Sequence, residues 1–253
     1  MLKHIHSEKN PQVKQWKKLL SRKERDRSGT FLVEGIHLVE EAVSGNMEVL
    51  GIIMNESFEL PHSLDYGSIP VTTVTDAITK ELTDTETPQG IFAVCKQSEP
   101  REVNGKTFLM IDSVQDPGNL GTMIRTADAS GVDAVIVGDG SVDIYNPKVL
   151  RSAQGSHFHL PVIRGSLSDW IDKLKTAGIP VFGTALENAS VYHEASSALD
   201  RFALIVGNEG SGINKEILAI TDQNLYVPIY GKSESLNVAV AAGILLYYLK
   251  AGK

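Results

Sequence analysis

Cysteine is almost absent from this chain: Cys95 stands alone among 253 residues. One thiol allows neither an internal disulfide nor a cysteine-based metal site, and its place in the apolar run IFAVC makes it a buried strand residue. Long apolar runs are also missing, since the longest, Leu236 to Leu249, falls short of the roughly 20 residues that span a bilayer. The opening MLKHIHSEKN is polar and lacks a secretory core, so a cytoplasmic location is expected. The tripeptides Asn55-Glu56-Ser57 and Asn188-Ala189-Ser190 match a glycosylation pattern that has no meaning without secretion. There is no internal repeat or low-complexity tract. What is present, 42% hydrophobic and 22% charged residues, suits one large domain or two small ones.

A net charge of -7 argues against a nucleic-acid partner until its placement is considered. Residues 1–29 hold nine Lys/Arg against three acids, a local +6, which leaves -13 on the remainder. That asymmetry suits a basic arm on an acidic body. Val13, Trp16, Leu19 and Leu20 form a stripe of helical spacing, so the same arm also reads as a docked amphipathic helix with a solvated basic face.

From Phe31 to Cys95, apolar runs alternate with helical patterns: FLV then EGIHLVEEAV, EVLGIIM then a short polar helix, VTTV then DAITKEL, and finally GIFAVC. The alternation predicts a small α/β domain over residues 30–97. The polar stretch KQSEPREVNGK, with its proline and glycine, reads as a linker over residues 98–106. A second α/β pattern fills residues 107–253. Its strands are TFLMI, DAVIV, PVF, FALIV and LYVPI. Its helices lie near Leu120–Ala129, Leu167–Ala177, Lys215–Ile220 and Ser235–Lys250. The expected architecture is a mostly parallel sheet covered by helices, which binds ligands beyond the carboxyl ends of its strands.

Three loops at such ends hold polar residues. After TFLMI comes DSVQDPGNLGTMIR, where Asn119 is placed to cap a helix and Arg125 falls off the buried stripe. After FALIV comes GNEGSGI, with Glu209 set among glycines in a G-x-x-G-x-G order that disfavours a nicotinamide dinucleotide site. After LYVPI comes YGKSESLN, where Ser235 and Asn237 can bond free groups at a helix start. Singly, each loop suits an ordinary turn, cap or surface charge.

Together and in this order, DSVQDPGNLGTMIRTADASGVDAVIV, ALIVGNEGSGI and VPIYGKSESLNVAVAAGILLYYL resemble the three motifs of the SpoU (TrmH) family of SPOUT-class RNA 2'-O-methyltransferases. GTFLVEGIHLVEEAV and TPQGIFAVC resemble the substrate-binding domain that rRNA-directed members carry in front. The resemblance implies a SPOUT catalytic domain with a deep trefoil knot, a homodimer, S-adenosylmethionine as methyl donor, RNA as substrate and no metal. It assigns Asn119, Arg125, Glu209, Ser235 and Asn237 to catalysis. It places Thr184, Leu186, Gly207, Val227, Ile229 and Leu236 around the donor, with backbone near Ile229 holding the adenine.

Arg125 is expected beside the reacting 2'-oxygen, stabilising charge rather than taking a proton, because a guanidinium stays protonated in proteins. Glu209 could orient Arg125 or Asn119, or bind substrate. Lys18, Arg22 and Arg25 of the arm and Arg151 of KVLRSAQGS are candidate RNA contacts, whereas His157 and His159 read as structural. The expected reaction is ribose 2'-O-methylation of 23S rRNA at a guanosine. A tRNA 2'-O-methyltransferase and a non-catalytic RNA-binding or ribosome-assembly module stay open as alternatives.

Overall fold

The computed structural model describes residues 3–45, 47–59, 65–98 and 103–250. Its contacts form two compact units, Met1–Arg101 with Tyr145–His159, and Glu102–Ile144 with Leu160–Lys253. No helix among the described residues is long and apolar enough to cross a membrane.

The first unit opens with β1 (Lys3–Ile5), α1 (Pro11–Lys18) and α2 (Arg22–Ser28). Asn10 starts α1 by accepting the Gln12 N–H, and Pro11 needs no partner at the first helical position. Next come β2 (Thr30–Glu34), α3 (Ile36–Ser44), β3 (Val49–Asn55), β4 (Val71–Val74), α4 (Asp76–Leu82) and β5 (Ile91–Lys96). They build a mixed sheet in the order β1-β4-β3-β5-β2. Val13, Trp16 and Leu19 are buried with Ile78, Leu82 and Phe92, so the apolar stripe of the basic arm docks into this core. The polar helix expected after β3 is absent from residues 56–59 and 65–70, which form turns and irregular loop; residues 60–64 lie outside the described residues.

Arg25 corrects another expectation. Lys18 and Arg22 are exposed, but Arg25 is buried and its Nη1 donates to the Leu19 carbonyl at 2.7 Å. It lies on the inward face of α2, where a desolvated guanidinium must find acceptors. Burial lowers its pKa, although Asp26 opposes the shift. Arg25 is therefore a structural residue.

The second unit contains β6 (Thr107–Ile111), α5 (Pro117–Ser130) and β7 (Ala134–Val137). The stretch Tyr145–His159, with α6 (Pro147–Ala153), belongs to the first unit, so the block expected to run from 107 to 253 is interrupted there. Tyr145 stacks on Phe31 with centroids 4.5 Å apart. His159 Nε2 lies 2.7 Å from Glu41, and His157 is buried near the Tyr145 ring. Arg151, expected to contact RNA phosphate, is instead held by both Asp84 oxygens, with Nη2 donating to Oδ2 at 3.2 Å.

The second unit resumes with β8 (Val162–Arg164), α7 (Leu167–Thr176), β9 (Val181–Thr184), β10 (Ser190–Val191), β11 (Phe202–Val206), α8 (Lys215–Ala219), β12 (Gln223–Tyr226) and α9 (Val238–Lys250). Its seven strands, in the order β10-β12-β9-β11-β6-β7-β8, are all parallel. Every strand therefore ends on the same edge. β12 stops at Tyr226 rather than Ile229, because Pro228 has no N–H for a ladder. α9 starts at Val238 rather than Ser235.

Candidate functional site

β6 and β11 are neighbours, paired from Thr107↔Phe202 to Ile111↔Val206. From β6 the chain crosses to β7 on one side, and from β11 it crosses to β12 on the other. Where connections diverge in this way, the loops splay and leave a crevice at the carboxyl edge. The first two polar loops flank it, and the third arrives after β12.

Asp116 caps α5 by accepting the Asn119 N–H at 2.8 Å. That leaves the Asn119 side chain free for other partners. Its Nδ2 donates to Glu209 Oε1 at 3.0 Å, and its Oδ1 accepts from Asn237 Nδ2 at 2.9 Å. Asn237 Oδ1 accepts from the N–H groups of Ala239 at 2.9 Å and Val240 at 3.3 Å, which makes Asn237 the cap of α9. Glu209 also receives the Gln115 N–H at 3.2 Å and the Asp116 N–H at 3.0 Å.

This chain has a direction. An ionised carboxylate only accepts, so Glu209 turns the Asn119 amide nitrogen toward itself. The Asn119 oxygen then faces Asn237, whose nitrogen donates and whose oxygen caps the helix. The second Nδ2 hydrogens of Asn119 and Asn237 are left to meet an acceptor on a ligand. Burial by itself would raise the Glu209 pKa, but donors from Asn119, its own N–H, Asp116 and Gln115 outweigh it and hold the carboxyl below its ordinary 4.5.

Arg125 is exposed on α5, six residues or about 9 Å of helix beyond Asn119. Among the described residues it has no ion-pair or hydrogen-bond partner, which leaves its five donors available. The Ser235 hydroxyl is not part of the amide chain. Ser235 is exposed, and its carbonyl accepts from Ser233 Oγ at 2.8 Å. Thr184 ends β9 with Oγ1 on the Ile205 carbonyl at 3.1 Å. Val227 and Ile229 are half-buried, while Leu236 is 37% and Leu186 71% exposed. Gly207 has a local reason to be glycine, since a Cβ there would lie 2.2 Å from Gly212 C and 2.3 Å from Ile213 N.

Sequence reasoning missed Asn208. Its Nδ2 donates to the Ser113 carbonyl at 2.8 Å, and its Oδ1 accepts from Gly210 N at 2.9 Å and Ser211 N at 3.0 Å. It also missed Asp112, which is buried and accepts the Asn214 N–H at 2.7 Å. The available signal was position: both are polar residues within two places of a fully buried strand's end. Among the described residues no group of three His, Cys, Asp or Glu side chains is arranged to hold a metal.

Comparison with known proteins fits this geometry. Residues 106–247 match the model of the SpoU rRNA methylase family, and residues 10–93 match the MRM3-like substrate-binding domain. The chain is 52% identical over 249 residues to a 23S rRNA (guanosine(2553)-2'-O)-methyltransferase, RlmP, from Bacillus subtilis, covering 98% of this chain and 100% of that one. It is 30% identical to a 23S rRNA (uridine(2479)-2'-O)-methyltransferase from Streptomyces viridochromogenes, covering 94% and 89%. The crystal structure of an AdoMet-bound rRNA methyltransferase from Sinorhizobium meliloti superposes with a TM-score of 0.88 at 28% identity, over 98% of this chain and 97% of that one.

Proposed function

The chain belongs to the SpoU rRNA methylase family, and from that membership and the Glu209–Asn119–Asn237 chain we propose that it methylates the ribose 2'-oxygen of a guanosine in 23S rRNA. It is an S-adenosylmethionine-dependent RNA 2'-O-methyltransferase. The guanosine follows the RlmP relative, which by its own name methylates guanosine 2553 of 23S rRNA. The uridine-directed relative is similar over almost the same length at lower identity.

The residues at the strand ends suit the donor. Gly207 brings backbone close, Thr184 offers a hydroxyl, and Leu186, Val227, Ile229 and Leu236 offer apolar faces that the fold itself leaves partly uncovered. When bound, S-adenosylmethionine supplies an electrophilic methyl on sulfur. The protein's task is then to present a poorly nucleophilic hydroxyl in line and to stabilise the charge that develops as its proton leaves.

Asn119 and Asn237 would orient the ribose through their remaining amide hydrogens. Arg125 would stabilise the developing oxyanion or clamp the neighbouring phosphate. Ser235 would contact substrate from the same loop. Glu209 is the directing group of the cluster, because a carboxylate whose donors hold its pKa down is a poor proton acceptor. Exposed Lys18 and Arg22 would meet RNA phosphates from the first unit, whose match to a substrate-binding domain supports that role.

A homodimer and a knotted C-terminal path belong to the same reading. α9 packs on α5 and still presents Val240, 51% exposed, and Tyr247, 54% exposed. That apolar face fits a second copy. The single observation carrying the proposal is the directed amide–carboxylate chain. Transfer of labelled methyl to purified 23S rRNA, with mapping of the modified nucleotide, tests it. Donor binding without transfer to 23S rRNA would overturn it.

A further inference from the structure

We infer that Asn208 is a positioning residue for methyl transfer: it pins a left-handed turn at Ser113 and thereby aims two backbone N–H groups at Glu209. The inference rests on the site proposed above. Ser113 follows β6 and Asp112, and its φ is 57°, a conformation costly for a residue that carries a Cβ. Something must hold it there.

The β6–β11 ladder cannot, because its last bond runs from Asp112 N to the Val206 carbonyl at 2.8 Å. Beyond that point, the Asn208 amide links the two loops. Its nitrogen donates to the Ser113 carbonyl at 2.8 Å, while its oxygen accepts from Gly210 N, Ser211 N and Ser211 Oγ at 2.9, 3.0 and 3.2 Å. The Asn208 backbone is itself fastened, with N to the Gly212 carbonyl at 2.9 Å and its own carbonyl to Gly212 N at 3.0 Å. Ser113 Oγ adds bonds to Asp112 Oδ1 at 3.0 Å and to the Asp139 carbonyl at 3.3 Å.

The consequence appears two and three residues on. With Ser113 turned left-handed, Gln115 N and Asp116 N both reach Glu209, at 3.2 and 3.0 Å. Glu209 then sets the Asn119 amide. Asn208 Nδ2 also reaches Glu209 Oε2 at 3.5 Å, a longer bond than the one to Ser113, and it touches none of the groups assigned to substrate, so its effect must pass through Glu209.

Asn208→Ser separates this role from simple turn formation. A serine keeps an acceptor for the Gly210–Ser211 turn but is too short to reach the Ser113 carbonyl. The expected result is a folded enzyme with an unaltered melting temperature. Its kcat should fall about tenfold to a hundredfold, with RNA KM and donor affinity within about threefold of wild type. Adding Ser113→Gly, which removes the strain of the left-handed turn, should recover several-fold of the lost kcat. Asn208→Thr, which keeps a hydroxyl acceptor for the turn, adds no charge beside Glu209 and is also too short for the Ser113 carbonyl, should reproduce the kcat defect and guards against an unstable serine variant.

A KM effect with kcat intact would overturn the inference, and so would a kcat defect that Ser113→Gly leaves untouched. Arg125→Ala run alongside separates the two readings. Wild-type turnover in Arg125→Ala would sink the site assignment, whereas an inactive Arg125→Ala beside a fully active Asn208→Ser would sink this inference alone.

Discussion

Glu209 accepts more hydrogen bonds than an exposed carboxylate normally collects, and every donor comes from the first polar loop or from Glu209's own neighbourhood. Because its folded pKa is depressed, its contribution to stability is complete above the ordinary carboxylate value of 4.5 and is lost as pH falls through the lower folded value. Glu209→Gln should therefore flatten the acid side of the stability–pH curve, read by thermal melting between about pH 3 and 6. Glutamine would also bring an N–H₂ group to a site crowded with donors. Turnover should fall at least about tenfold at neutral pH, in a single-turnover methyl-transfer assay.

At Arg125 the fork matters as well as the charge. Arg125→Lys should lose most of the single-turnover rate, since an ammonium cannot reproduce two parallel donors. If lysine kept most of that rate, a bidentate role would be wrong. Both residues could be singled out from the sequence, but their separate tasks could not: Glu209 is saturated by its neighbours, whereas Arg125 is left open.

Among the elements, α9 connects packing to catalysis. Asn237 closes its first turn and donates to Asn119, so the helix start and the amide chain share one side chain. Asn237→Ala should destabilise the protein by about 1 kcal/mol through the lost cap and should also slow turnover. Asn237→Asp separates the two effects. It keeps a capping oxygen and adds favourable charge at the helix N-terminus, but it has no hydrogen for Asn119. Its melting temperature should stay near wild type while kcat falls, measured by calorimetry and by methyl transfer under the same buffer.

The sequence places the helix three residues early, at Ser235, because serine and asparagine are equally good caps when read alone. Asn237 prevails because Ala239 and Val240 present their N–H groups to it, while the Ser235 hydroxyl has no such donor among the described residues. The short strands β8 and β10, of three and two residues, carry no readable alternation. α6 did carry a signal, the Asn146-Pro147 cap and first-position pair, with Asn146 Oδ1 accepting from Lys148 N at 2.9 Å.

For the molecule as a whole, charge asymmetry predicts how RNA binding depends on salt. Most of the net +6 of residues 1–29 sits on α1, whose apolar face is buried, and on α2, with Lys18 and Arg22 outward. Lys18→Gln combined with Arg22→Gln should lower the slope of log affinity against log salt by about 0.7 to 0.9 for each phosphate no longer neutralised. The methyl-transfer rate at saturating RNA should be unchanged. Arg25→Ala should act differently, lowering stability by about 1–3 kcal/mol, because it removes packing and leaves the Leu19 carbonyl short of a donor. Equal salt slopes for wild type and the double variant would remove helices α1 and α2 from the RNA-binding surface.

The sequence by itself determined the elements, the α/β class and three loops able to carry chemistry. These depend on local causes: apolar periodicity, caps, and the conformations open to glycine and proline. It also determined the family, because three polar motifs in that order are more specific than any one of them. Only the tertiary structure decided which polar residues meet. Asn119 lies 90 residues from Glu209 and 118 from Asn237. They touch because β6 and β11 are neighbours in a parallel sheet and α9 returns to pack on α5. Tertiary packing likewise buried Arg25, tied Arg151 to Asp84, and gave Asn208 its partner at Ser113. A side chain's own chemistry sets what it can bond, but only the folded chain sets which partner comes within reach.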